Sequence, residues 1–410
     1  LFTYKRLSQT SAVHVCCCFL LYLLLELFLI ILFSTNNFLV FFIALELTLL
    51  PLVLLIVLFG KQIRRIYATF MLFSYTFIGS FFVAVGLFAG FYVTQSFSFA
   101  LWGNVVYECL HQRDGLTLVE PGLCFSKEQY QILTFSCLCF FIGFCLKLPI
   151  IPFHTWLVEA HVEAPTEGSV ILASLILKTS SFGLVQVVYG VFFSQGFGAL
   201  WLQPLAWVLG FYGLLQCSFY LCAHIDLKRI IAYSSIVHMN MALISLFSGV
   251  ELCSMGALVI YIGHTLISGA LFFLVGMLYE CKGSRLITAH SGIRYSMPRF
   301  TGWFSLFIFA CLDIPPFFSF LGEVFIICGL VGLNFGVVIL FFMPTIIVFI
   351  FVFFTVLQAI LDGGIFGSHL QENKTDLVPK FGDVSGLDLV VLGLLVWGLL
   401  VCLFFFWMVV

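Results

Sequence analysis

Long apolar runs recur along the whole of this chain, and no soluble core can hide them. A spanning helix needs about 20 apolar residues. Eleven stretches qualify, near 13–34, 37–60, 66–95, 130–150, 168–190, 199–222, 230–248, 254–279, 300–333, 336–362 and 386–409. Of the 410 residues, 62% are hydrophobic and 9% charged, whereas soluble domains carry about a quarter charged residues. Lipid offers the backbone no hydrogen bonds, so such runs fold as helices, and Gly or Pro within them does not argue otherwise. The expected fold is all-α: a polytopic transmembrane bundle of about eleven helices in a single membrane domain over 1–410, with an outer loop at 96–129 and a C-terminal helix at 386–409. The net charge of −2 gives no sign of a nucleic-acid partner.

An odd number of spans puts the termini on opposite sides, and the basic residues test that count. The N-terminal side carries Lys5, Arg6, Lys61, Arg64, Arg65, Lys228, Arg229, Lys282, Arg285, Arg294, Arg299, Lys374 and Lys380, thirteen in all. The opposite side carries two, Arg113 and Lys127. The bias predicts an inward-facing N-terminus. The sequon Asn373-Lys374-Thr375 falls on the positive side, so glycosylation is not expected there. The first apolar run, after Tyr4-Lys5-Arg6, is long enough to span and does not read as a cleaved leader.

Most of the fifteen cysteines lie inside apolar runs, where a thiol behaves as a small hydrophobe. There is no CxxC pair to suggest zinc or an iron–sulfur cluster. Cys109 and Cys124 share the 96–129 loop and could pair if it faces an oxidising compartment, though unpaired thiols are the stronger expectation. The 52 phenylalanines fit a T-rich organellar genome.

Five ionisable residues stand where lipid should be: Glu26, Glu46, Lys147, Lys178 and Glu323, with His238 and His264 also inside spans. Each charge costs about 3 kcal/mol or more at mid-span and calls for a reason. A lysine held out of water can cycle between charged and neutral at physiological pH, and histidine titrates near neutrality unaided. Glutamate, lysine and histidine with water between them make a plausible proton wire. The bland reading is a set of charge pairs that tie helices together, and for Glu26, alone in Leu23-Leu24-Leu25-Glu26-Leu27, it is the stronger one. Two spans read as broken, at Lys147-Leu148-Pro149-Ile150-Ile151-Pro152 and at Asp313-Ile314-Pro315-Pro316-Phe317. Proline removes a backbone donor and interrupts a helix. A broken helix beside a buried charge points to an ion site in transporters; a simple proline kink is the alternative.

The segment KLPIIPFHTWLVEAHVEAPTEGSVILASLILKTSSFG, from Lys147 to Gly183, closely resembles the antiporter-like membrane chains of respiratory NADH:ubiquinone oxidoreductase (complex I), and chain 4 among them. Asp226-Leu227-Lys228-Arg229-Ile230-Ile231-Ala232-Tyr233-Ser234-Ser235, His238-Met239-Asn240, Gly263-His264 and Leu321-Gly322-Glu323 continue it in order, over about 37–362. The wider family includes chains of multi-subunit cation/proton antiporters, the first alternative. The resemblance implies an antiporter-like fold with two discontinuous helices, here lacking about three N-terminal helices, and leaves open whether another chain supplies them. It implies a proton relay through Glu46, Lys147, Lys178, His238, His264 and Glu323: Glu46 and Lys147 as a modulating pair, Lys178 as central relay, Glu323 as the exit. Lys228 and Arg229 match a basic turn of structural or interfacial role. The implied protein is a proton-translocating subunit of the mitochondrial inner membrane, N-terminus on the matrix side and C-terminus on the intermembrane-space side. Its implied partners are antiporter-like chains 2 and 5 and phospholipids such as cardiolipin. No cofactor is expected on this chain; NAD, FMN, iron–sulfur clusters and ubiquinone belong to other subunits. A haem protein, using His224 and His238, and a structural spacer with a decayed relay are weaker alternatives.

Overall fold

The computed structural model describes residues 12–60, 63–113, 126–290, 293–333, 335–352, 356, 384 and 386–409. They form α1 (Ala12–Ser34), α2 (Phe38–Phe59), α3 (Arg65–Thr94), α4 (Phe99–Arg113) and α5 (Lys127–Lys147). After these come α6 (Thr155–Glu163), α7 (Thr166–Gln195), α8 (Ala199–Ala223), α9 (Leu227–Leu246) and α10 (Glu251–Lys282). The last four are α11 (Pro298–Cys311), α12 (Phe318–Leu333), α13 (Phe335–Phe351) and α14 (Gly386–Val409). Among the described residues the only β pairing is two isolated bridges, Asn37 with Ser98 and Asp226 with Leu286.

Side-chain caps start several of these helices. Asn37 accepts from the Leu39 N–H at 2.9 Å at the head of α2. Ser126 and Gln129 close a reciprocal capping box on α5, which satisfies two donors that a helix start otherwise leaves orphaned. Asp226 accepts from the Lys228 N–H at 2.9 Å at the start of α9.

Helix α9 is the centre of the bundle. Its most apolar 18-residue window is 89% buried, against 28% for α1 at the periphery. Glycines let neighbouring helices close on one another. A Cβ on Gly143 of α5 would stand 2.7 Å from the Gly79 carbonyl oxygen of α3, and one on Gly256 of α10 would stand 2.8 Å from that of Gly322 in α12. Such contacts, with small residues meeting backbone to backbone, replace the hydrophobic driving force that lipid does not supply between helices.

Both expected breaks are present. Residues 148–154 separate α5 from α6, and 312–317 separate α11 from α12. Two expectations need correction. The stretch 96–129 is not simply an outer loop: Phe99–Arg113 is helical, and its Trp102, Val106 and Cys109 are buried against the bundle. Its hydrophobic residues alternate with Asn104, Glu108 and Gln112, which disguised a one-sided helix as a polar loop. The fourth span does not end near residue 150 but resumes as α6, so the broken helix runs on to Glu163. Cys124, and with it the pairing to Cys109, lies outside the described residues, as do the sequon at 373–375 and most of 353–362.

One end of the bundle gathers charge. Arg64, Glu163, His224, Asp226, Arg229 and Arg285 line a cavity of about 500 Å³ there. Arg229 pairs with Glu159 at 3.4 Å and Arg285 with Asp226 at 3.8 Å. These loops are the ones that the sequence assigned to the positive side. Burial holds the Glu163 carboxyl above its ordinary value, against the pull of Arg285. Burial likewise holds His224 below its ordinary value, with Arg229 adding to the effect. Lys228, matched with Arg229 to a basic turn of structural or interfacial role, stands at the start of α9. It is buried, and its Nζ donates to the Ala164 carbonyl and Ser169 Oγ, each at 3.0 Å, and to the His161 carbonyl at 3.3 Å. A cation on the last carbonyls of α6 complements the negative end of that helix.

Candidate functional site

The first cluster forms where α2, α3 and α5 meet. Glu46 sits within α2, and Lys147 is the last residue of α5 before the break. Lys147 Nζ donates to Glu46 Oε1 at 3.0 Å, with Lys147 only 6% exposed. The Ser80 hydroxyl donates to the same carboxylate oxygen. Gly79 makes this possible: a Cβ there would lie 3.1 Å from Lys147 Cγ, so its absence leaves the lysine stem a path along α3.

The second cluster runs through α7, α9, α10 and the α11–α12 break. Lys178 lies in the α-helical turn Leu177–Gly183, between two stretches, Leu172–Ile176 and Leu184–Phe192, that widen to the π pattern. Such widening is frequent at functional positions because it re-aims side chains. The Lys178 ammonium is buried and contacts no carboxylate among the described residues. Its Nζ lies 3.1 Å from His264 Nδ1 and 3.4 Å from Met239 Sδ, and 5.8 Å from the centroid of the Tyr261 ring. The His264 and His238 rings stand 5.6 Å apart, centroid to centroid. His238 Nε2 hydrogen-bonds the Cys311 carbonyl at 3.1 Å, and its Nδ1 faces Asp313 Oδ2 at 3.7 Å.

Two cavities complete the row. One of about 10 Å³ is lined by His238, His264, Asp313, Ser234, Ser235, Ser268 and Ser319. That is close to the space one water needs, and the lining offers several polar partners. The other, of about 160 Å³, is shared by His238, Asp313, Glu323 and Thr345 and has room for several waters. The close crossing of α10 and α12 at Gly256 and Gly322 fixes Glu323, the next residue, on this wall.

The chemistry follows from donor and acceptor roles. A carbonyl only accepts, so the Cys311 contact places a proton on His238 Nε2. Nδ1 then faces the Asp313 carboxylate with one proton to share between them. Lys178 and His264 stand in the same relation. As an ammonium the lysine donates to Nδ1; as an amine it accepts from it. Each pair can pass a proton without moving a heavy atom far.

All six residues of the relay implied by resemblance lie within these two clusters. The row is nevertheless not one continuous line of direct contacts. No described hydrogen bond joins Lys147 to Lys178, and the Tyr261 hydroxyl beside Lys178 is buried without a partner. Sequence reading missed Asp313 and Ser80. Asp313 carried a signal, an acid within an apolar run two residues before Pro315, but was read only as part of the break. Ser80 carried none, because serine is common in spans. Glu26 stands apart from both clusters: it is exposed on α1. His224 also stands apart, stacked on Tyr233 at 5.1 Å near the charged end.

Comparison with known proteins is consistent with this arrangement. Residues 35–348 match the family described as NADH:quinone oxidoreductase/Mrp antiporter, transmembrane. NADH-ubiquinone oxidoreductase chain 4 of Prototheca wickerhamii is 35% identical over 301 residues, 72% of this chain and 52% of that protein. The same chain of Acanthamoeba castellanii is 32% identical over 299 residues, 73% of this chain and 55% of that protein. This chain thus spans about half the length of these curated relatives. In fold it is similar to a chain in the structure of respiratory complex I from Thermus thermophilus with bound NADH. The TM-score is 0.77 at 23% identity, over 93% of this chain and 74% of that one.

Proposed function

Because the chain belongs to the NADH:quinone oxidoreductase/Mrp antiporter family of membrane subunits, we propose that it is a proton-translocating subunit of respiratory complex I, coupled to NADH:ubiquinone electron transfer carried out in other subunits. The observation that carries this reading is the buried sequence Lys178, His264, His238 and Asp313, which opens on a cavity that Glu323 also lines. Amines, imidazoles and carboxylates so placed cost the fold several kcal/mol, a cost that a proton path accounts for.

In the proposed cycle Lys178 is the central relay. Its ammonium has a sulfur, an imidazole and an aromatic face around it but no counter-ion among the described residues, so its proton responds to changes in local potential. His264 Nδ1 receives that proton, the small cavity that His264, His238 and Asp313 all line has room for one water to carry it past His238, and Asp313 takes it toward Glu323. The Glu46–Lys147 pair modulates this. While the pair is closed its charges largely cancel; when Glu46 is drawn away, the freed Lys147 ammonium repels a proton on Lys178. Moving one charge against the membrane potential costs about 2.3 kcal/mol per 100 mV, so the relay has to be gated.

The proposed setting is the mitochondrial inner membrane, with the N-terminus on the matrix side and the C-terminus on the intermembrane-space side, an orientation that the charge asymmetry of the loops supports. Neighbouring antiporter-like chains 2 and 5 and phospholipids such as cardiolipin are the proposed partners. NAD, FMN, iron–sulfur clusters and ubiquinone act elsewhere in the complex.

The second reading is a subunit of a multi-subunit cation/proton antiporter, favoured by the family's inclusion of Mrp antiporters. A mass-spectrometric subunit list of the purified particle separates the two. Co-purifying flavin and iron–sulfur polypeptides are expected; a particle made only of antiporter-type chains would overturn the complex I assignment.

A further inference from the structure

Glu26 is the one acid of α1, and among the described residues nothing bonds it. The buried stripe of the helix is Cys18, Leu21, Leu25, Leu29 and Leu32, which pack into the bundle. At about 100° per residue, Glu26 falls on a different face. That face carries Phe19, Leu23 and Ile30, which are 45%, 65% and 62% exposed. None of the described residues offers the Glu26 carboxylate a hydrogen bond or an ion pair.

Its depth makes this costly. Helices α1 and α2 are joined by the short turn at 35–37. Glu26 lies eight residues before Ser34 (34 − 26 = 8), and Glu46 lies eight residues after Phe38 (46 − 38 = 8). Both are therefore about 12 Å from that turn, at a rise of about 1.5 Å per residue, and near the middle of a hydrocarbon layer about 30 Å thick. At this depth Glu46 is met by the Lys147 ammonium inside the bundle. Glu26, on the outside of the same hairpin, has no equivalent among the described residues.

We propose that this outer face of α1 is an interface with a transmembrane helix of another polypeptide, one that sets an amine or guanidinium against Glu26 at mid-membrane depth. The apolar residues around Glu26 suit a helix. Phe19, Leu23, Glu26 and Ile30 are spaced four, three and four apart, the repeat by which two helices pack at a shallow crossing angle. A lipid headgroup cannot occupy the site, because the acid is too far from either surface. A second copy of this chain cannot supply the cation either. The mid-span lysines, Lys147 and Lys178, are both buried inside their own bundle.

Dicyclohexylcarbodiimide tests the proposal on the whole complex in its native membrane. This apolar reagent adds to a protonated carboxyl facing lipid and rearranges to a stable N-acylurea. A neighbouring amine instead attacks the activated ester, which forms an amide and releases dicyclohexylurea. Mass spectrometry of the Glu26 peptide is expected to show no N-acylurea in the intact membrane, or an amide to a lysine of another chain, and N-acylurea once the subunits are separated in detergent. Equal N-acylurea in both preparations would overturn the proposal. A variant pair gives a second readout. Glu26→Leu leaves the partner's cation unpaired and is expected to lower the abutting subunit in the purified particle by at least about tenfold, with Glu26→Gln closer to wild type. An unchanged subunit list in Glu26→Leu contradicts the interface, whatever the fate of proton pumping.

Discussion

Replacing Glu46 by glutamine keeps the shape of the first cluster and removes its negative charge. The magnitude follows from the 3.0 Å separation of Lys147 Nζ and Glu46 Oε1. At an effective dielectric constant of about 20, two unit charges at that distance attract by about 5.5 kcal/mol. Glu46 is 28% exposed, and solvent screening trims that figure. Half of it is still about 2.7 kcal/mol, or roughly a hundredfold in the balance between open and closed pair. Glu46→Gln is thus expected to uncouple this chain: NADH oxidation with an uncoupler present continues, while protons moved per electron fall in proteoliposomes. Lys147→Met should do the same, and the double variant should be no worse than either single one, because both remove one interaction. Additive losses, or a wild-type ratio in Glu46→Gln, would refute the pairing.

Two further variants follow from the same geometry. Asp313→Asn deprives His238 of the carboxylate 3.7 Å away, and is expected to reduce proton transfer as much as His238→Ala does; wild-type pumping in Asp313→Asn would remove Asp313 from the path. Gly143→Val forces side-chain atoms against the Gly79 carbonyl and Val83, which a Cβ alone would meet at 2.7 Å. Overpacking of this kind costs about 1–3 kcal/mol, so the purified complex should unfold at a lower temperature; an unchanged midpoint would mean that α3 and α5 are not held this close.

The spans were legible because lipid imposes a single requirement, internal satisfaction of the backbone, that composition alone reports. The two breaks were equally plain, since proline at 149, 152, 315 and 316 cannot donate. Helix α4 was harder to read. Its apolar residues cover one face of a short helix, so hydropathy averaged over about 19 residues falls below a spanning signal. Within the site, the costly residues announced themselves: Glu46, Lys147, Lys178 and Glu323 are each anomalous in an apolar run. Their partners did not. Ser80 and the lining serines of the small cavity are cheap to bury when bonded to a helix carbonyl, so they leave no pattern. Distances between helices are likewise invisible in one sequence. Hence neither the contact of Lys178 with His264 nor the lack of a described hydrogen bond between Lys147 and Lys178 could be foreseen. The exposure of Glu26 also required coordinates, because a lone acid in a leucine run reads the same whichever way it faces.

The account rests on Lys178 as the residue through which the proton must pass. Lys178→Ala in the intact complex, measured for protons translocated per electron in sealed vesicles alongside a subunit list, tests this most directly. The expected result is full assembly, with protons moved per electron below wild type because this chain no longer contributes. A fully assembled Lys178→Ala complex with the wild-type ratio would contradict it.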